Sequence, residues 1–213
     1  MPKKIDREML FEVFENVVET VNENKEELTE LDSKIGDGDH GVNLARGFTS
    51  SMDEVSDLHD QGDIGEILKE VGSILMESIG GSVGILYGSA VQKAGDAIEG
   101  KDELSLEDLV SMIEAADQAI KKRGQVEVGQ KTMYDTIHPF AESIKEGYED
   151  GLGLDDALKK ALVEAEEGMK STQEMEAEKG RAKYFGEKTV GHIDVGAKSS
   201  YLIIKTAVNT IAE

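Results

Sequence analysis

Leu31-Asp32-Ser33-Lys34-Ile35-Gly36-Asp37-Gly38-Asp39-His40-Gly41 is the stretch on which the fold turns. Its second half, Gly36 to Gly41, matches G-x-G-x-x-G, the phosphate loop of dinucleotide-binding folds. That loop must follow a β-strand, and residues 26–35 instead read as the end of a helix, so a doubly wound sheet is set aside. An EF-hand fails too. Counting twelve positions from Asp32 or Asp37 reaches Asn43 or Phe48, where a bidentate Glu belongs. No G-x-x-x-x-G-K-[ST] occurs, which excludes a P-loop. What remains is a turn between helices that gathers three carboxylates. Gly36 and Gly38 let the backbone bend tightly enough for Asp32, Asp37 and Asp39 to converge. Grouped carboxylates repel one another unless a cation lies among them, and oxygen-only ligands select Mg²⁺, Ca²⁺ or Mn²⁺. An acidic capping loop that binds nothing is the plain alternative.

Outward from this turn the chain keeps a helical period. Leu10, Val13, Phe14, Val17, Val18 and Val21 make one stripe within residues 6–30. Asp63 caps a helix carrying Ile64, Ile67, Leu68, Val71, Ile74 and Leu75. Ser105 and Asp108 form a capping box before Leu106, Leu109, Val110, Ile113, Ala116 and Ile120. Residues 154–170 repeat the pattern through Leu154, Ala157, Leu158, Ala161, Leu162 and Ala165. The end, 198–211, is open between a helix and a short strand. Only Pro2 and Pro139 could interrupt helices, and aromatics are 5% of residues, so small aliphatic side chains must fill the core. No linker or repeat divides the chain. The expectation is one all-α domain, residues 1–213, of about eight helices.

A formal net charge of -22 disfavours nucleic acid and anionic membranes as partners, and any anionic ligand then needs metal ions or a local positive site. The absence of cysteine excludes disulfides, thiolate catalysis and zinc–sulfur sites. Neither a signal-type apolar run nor a membrane span is present, so a cytoplasmic protein is expected. Two further connections could meet an anion. Gly80-Gly81-Ser82-Val83-Gly84 precedes an apolar helical segment and offers free N–H groups, although paired glycines also let helices pack closely. Gly180-Arg181-Ala182-Lys183 through Lys188, leading to Gly191-His192-Ile193-Asp194-Val195-Gly196, is the most basic stretch of an acidic chain, with cations suited to phosphate.

Four ordered blocks resemble the dihydroxyacetone kinase L subunit. They are Leu31-Asp32 to Gly41 with Asn43 and Arg46-Gly47-Phe48; Gly80 to Gly84 with Leu86-Tyr87-Gly88; Gly129-Gln130-Lys131-Thr132-Met133-Tyr134-Asp135; and Gly180-Arg181-Ala182 to Gly196. The resemblance implies a closed barrel of eight antiparallel helices with ADP at one end, held through two Mg²⁺ ions on Asp32, Asp37 and Asp39. It implies that His40, Asn43, Ser82 and Val83 contact the nucleotide and that Gly124 and Met133 line the base pocket. Arg181 would meet phosphate, and Asp194, Val195 and Gly196 would close over the nucleotide. The implied activity is that of a phosphotransferase subunit with ADP as resident cofactor. A phosphohistidine on an M subunit phosphorylates it, and the phosphoryl passes to dihydroxyacetone on a K subunit. No residue of this chain is expected to act as base or nucleophile, and a homodimer is left open. Val83, Gln130 and Val195 stand where the family usually has Ser, Asp and Pro. They leave open a paralogue serving another small-ketose kinase. A nucleotide-loaded adaptor that signals without transferring phosphate would keep the same aspartates.

Overall fold

Helical periodicity produces α1 (Arg7–Glu23), α2 (Lys25–Ile35), α3 (His40–Ser56), α4 (Ile64–Ile79), α5 (Gly81–Ala97), α6 (Leu106–Gly124), α7 (Tyr134–Glu149), α8 (Leu154–Ser171) and α9 (Val195–Ala212). These come from a computed structural model that describes residues 5–212. Residues 1–4 and 213 lie outside the described span, and with them the reading of the extreme N-terminus and the two ends of the expected domain. The stripe read across 6–30 is two helices. Asn24 ends α1 with φ -95° and ψ 6°, outside the α-helical basin, and starts α2 in a new direction. Residues 198–211 are helical, the main body of α9. The expected caps are present: Asp63 with Glu66, and Ser105 with Asp108, each make a reciprocal capping box.

Eight of these helices close a ring in which α1 packs on α3, α3 on α4, each of α4 to α8 on its successor, and α9 back on α1. The seam between α1 and α9 is antiparallel, because Asn16 Nδ2 donates to Thr210 Oγ1 and the Thr20 and Thr206 hydroxyls meet. The ninth helix, α2, lies against α3 and α9 at one rim. A two-residue antiparallel bridge, β1 (Ile5–Asp6) with β2 (Glu103–Leu104), ties down the opposite rim.

Glycine sets how closely two neighbours approach. A Cβ on Gly88 would stand 2.5 Å from the Gly72 carbonyl oxygen, and one on Gly95 would stand 2.5 Å from that of Gly65. Pairs spaced seven residues apart thus bring the α4 and α5 backbones into contact. Pro139, inside α7, cannot donate to Asp135 O. Gly168 of α8 packs against that oxygen, with its absent Cβ only 2.1 Å away.

Candidate metal and anion site

The rim that carries α2 also collects the starts of α3, α5, α7 and α9 and the end of α6 around one cavity of about 870 Å³. Asp32 is in the last turns of α2, Asp37 and Asp39 lie in the turn, and His40 and Asn43 begin α3. Ser82 and Val83 are in the first turn of α5, Gly124 ends α6, Met133 precedes α7, and Asp194, Val195 and Gly196 open α9. All of these residues line the cavity, and so does Arg181, from the 172–194 segment that straps across from α8 to α9.

The three carboxylates present oxygens within 4.8 Å of one another. Asp32 Oδ2 accepts the backbone N–H groups of Asp39 at 3.0 Å and His40 at 3.2 Å, which fixes the turn onto α2. Its other oxygen, Oδ1, sits 2.0 Å from where a Cβ on Gly36 would be, so glycine alone leaves room for it. Gly38 has φ +74°, a left-handed turn that swings Asp39 back toward Asp32. At that spacing each carboxylate pair repels by about 3–4 kcal/mol at an effective dielectric near 20, before solvent screening. A cation offsets this, and the guanidinium of Arg181 pairs with Asp37 and lies 4.0 Å from Asp39. Arg181 therefore reaches the acidic turn from the strap. Three hard oxygen donors with a glycine-cleared free oxygen fit a divalent ion of the Mg²⁺ type.

The same cavity carries groups suited to an anion. Gly80 and Gly81 have φ +71° and +60°, which tip the start of α5 toward the cavity. No side chain caps that helix, so its first N–H groups remain as donors. Arg46, Arg123 and Lys179 also line the space. Their recorded partners are neutral: Asn43 Oδ1, Ser89 Oγ and the Gln125 carbonyl respectively. Among the described residues these three cations have no carboxylate partner, although the chain has 45 acidic residues, and they are free to meet an anion. Arg123 and Lys179 were not singled out from sequence. Each directly precedes a site glycine, Gly124 and Gly180, and that adjacency was the available signal.

Lys131 and Asp194 line the same cavity and brace its wall. The buried Lys131 ammonium donates to the carbonyls of Thr172 and His192, pinning both ends of the strap, and burial lowers its pKa. Asp194, expected to close over a nucleotide, is half-buried in the cavity wall and caps the start of α9, where its Oδ2 accepts Ala197 N–H at 2.8 Å. Burial pushes its pKa up to about 6. Gln130 explains one departure from the family pattern. Its amide oxygen accepts Glu127 N–H at 2.9 Å and its amide nitrogen donates to Glu178 at 3.1 Å, where an Asp would repel. Val83 packs against the apolar cluster of Phe48, Ile79 and Tyr87. His40 is buried, and desolvation lowers its pKa against the opposing pull of Asp32 and Asp39.

Fold and site together define a helical barrel with a cavity at one rim, lined by three converging carboxylates and by several cationic side chains. The chain belongs to the DAK2 domain family, whose model matches residues 34–209. It is 41% identical over 174 residues to the Escherichia coli (strain K12) PEP-dependent dihydroxyacetone kinase, ADP-binding subunit DhaL, covering 82% of each chain. It is 40% identical over 195 residues to the Lactococcus lactis PTS-dependent counterpart, covering 91% of this chain and 92% of that one. The L-erythrulose 1-kinase of Mycolicibacterium smegmatis is 30% identical over 194 residues, but the match spans only 34% of it. The crystal structure of the dihydroxyacetone kinase of C. freundii shares the fold, with TM-score 0.70 at 22% identity over 93% of this chain and 34% of that one. A second structure of that kinase, in complex with AMP-PNP and Mg²⁺, gives TM-score 0.65. Among the described residues, no helix is long and apolar enough to cross a membrane.

Proposed function

We propose that this chain is the ADP-binding phosphotransferase subunit of a dihydroxyacetone kinase. One observation carries the proposal: a three-carboxylate cluster shares a single cavity with uncapped helix N–H groups and with cations that have no carboxylate partner among the described residues. A nucleoside diphosphate bridges such a site. Divalent ions on Asp32, Asp37 and Asp39 would neutralise and align its phosphate oxygens for in-line transfer. Arg181 leaves Asp37 as the metal enters and turns to the phosphates. Ser82 and Val83 offer N–H donors at the glycine turn, His40 and Asn43 flank the metal, and Gly124 and Met133 border the base. Val195 and Gly196 complete the wall, with Asp194 fixing them from below.

Two Mg²⁺ ions are the stoichiometry this reading takes. The phosphoryl donor is a phosphohistidine M subunit, and the acceptor is dihydroxyacetone on a K subunit. Val42, Ile85, Val128, Tyr184, Phe185 and Val190 are large exposed apolar residues on the helix starts, loop and strap at the cavity rim. They suit the face that docks these partners around the open mouth. Work in the cytoplasm goes with this reading.

Isothermal titration with Mg²⁺ and ADP tests the site. Binding is expected for the wild type and lost in Asp37→Asn; a flat wild-type trace refutes it. Reconstitution with K and M subunits tests the activity. Failure to form dihydroxyacetone phosphate, with nucleotide binding intact, favours the adaptor. Formation of another ketose phosphate favours the paralogue, a reading that the L-erythrulose 1-kinase likeness keeps in view.

A further inference from the structure

Below the cavity floor, four contacts among hydroxyl, imidazole and carbonyl groups have one consistent direction. Ser199 Oγ lies 3.1 Å from the carbonyl oxygen of Gly196, 3.0 Å from Nε2 of His40 and 3.0 Å from the Tyr87 hydroxyl. The Tyr87 hydroxyl in turn lies 2.9 Å from Ser200 Oγ. A carbonyl only accepts, so the single hydroxyl proton of Ser199 goes to Gly196. Ser199 then has only lone pairs to offer, and both His40 Nε2 and Tyr87 must donate to it. Tyr87 has thereby used its proton, so Ser200 donates to Tyr87. Reversing any one of these leaves a buried contact without a proton. Tyr87, Ser199 and Ser200 are 8%, 1% and 1% exposed, so water does not offer a substitute partner.

The same reasoning places the other ring nitrogen. Among the described residues, the buried polar side-chain atoms without a partner are Ser143 Oγ and Asp155 Oδ1. Nδ1 of His40 has no protein partner either and is not among them, so it opens on the cavity that His40 lines. We propose that Ser200, Tyr87 and Ser199 are positioning residues that hold His40 as the neutral Nε2–H tautomer, so that Nδ1 turns a lone pair to a hydrated divalent cation at the aspartate turn. The lone pair accepts from a water on the cation. The opposite tautomer would point an N–H at a dication. Partners behind a metal-facing histidine commonly set its tautomer in this way. The cation itself rests on the function proposed above; the tautomer does not.

Long-range ¹H–¹⁵N correlation spectra of the full chain, free of metal and nucleotide at neutral pH, test the tautomer first. His40 is expected with hydrogen on Nε2 and Nδ1 bare. Ser199→Ala should turn this into a mixture, Ser199→Thr should restore it, and Tyr87→Phe should give a smaller shift in the same direction. Hydrogen on Nδ1 in the wild type, or an unchanged tautomer in Ser199→Ala that still melts cooperatively, overturns the proposal. Titration with Mg²⁺ alone is then expected to move the Nδ1 resonance, with half-saturation raised about tenfold in Ser199→Ala. Movement of the aspartate carboxyl signals without Nδ1 overturns the positioning role and leaves the metal site standing. Movement of neither removes the metal site, and this role for His40 with it.

Discussion

Replacing Lys131 by Met removes the one ammonium that joins both ends of the strap to the start of α7. Two charge-assisted hydrogen bonds, to Thr172 O and His192 O, are lost, and one buried and one half-buried carbonyl are left with one partner fewer. Hydrogen bonds of this kind contribute about 1.5–3 kcal/mol each. The loss is partly offset because Lys131 no longer has to be desolvated, a cost that its lowered pKa reflects. Asp194 and Asp135, whose charges Lys131 opposes, lose that compensation in the variant. The net expectation is about 2–4 kcal/mol of stability, or roughly 5–15 °C in Tm for a chain of this length. Calorimetry measures the size, and limited trypsin cleavage measures the place. Cuts at Arg181, Lys183 and Lys188 should accelerate more than cuts in α4 or α6. A Tm within about 2 °C of wild type, together with unchanged cleavage of the strap, would refute the assignment of Lys131 as its anchor.

Three other outcomes follow from the packing and the electrostatics. Gly88→Ala drives a methyl into the Gly72 carbonyl oxygen, 2.5 Å away, and should cost about 1–3 kcal/mol or more in chemical denaturation; a neutral result would mean that α4 and α5 separate freely. Asp194 has a folded pKa near 6 against 3.8 for the ordinary carboxyl, so the folded chain holds the proton after the unfolded chain has released it. Its contribution therefore falls as pH rises from about 4 to 6, by on the order of a few kcal/mol. Asp194→Asn, whose amide oxygen still accepts from Ala197, should flatten that part of the Tm-against-pH curve, and parallel curves for the two proteins would contradict it. Gln130→Asp brings a carboxylate beside Glu178 at an exposed position and should lower stability by less than about 1 kcal/mol, an effect that moderate salt erases.

Much of the site was legible because its chemistry is local. Asp32, Asp37 and Asp39 fall within eight positions, and two glycines there have no other reason to alternate with acids. The connection Gly80 to Gly84 carries its glycine signature at the start of α5, where uncapped N–H groups arise. Less legible was the use each residue makes of its position. Asp194 reads as a site acid and also caps the start of α9, while Arg181 reads as a phosphate-binding cation and also pairs with Asp37. Arg123 and Lys179 look like any cations of a helix end or loop until the barrel closes and leaves them without carboxylate partners.

The amino-acid sequence alone determined the all-helical class, the caps at Asp63 and Ser105 and the acidic turn, since spacing of three and four residues and short-range caps act within one or two turns of chain. It could not show that α1 stops at Asn24, because the apolar stripe continues through the change of direction. Only the tertiary structure decided which helices close the ring, which glycines face one another across α4 and α5, and how Lys131 reaches two carbonyls. The same holds for the contact between His40 and Ser199, 159 residues apart. Such pairings depend on the geometry of packed surfaces, where one methyl or one hydroxyl proton selects the partner, and no local period in the chain records that choice.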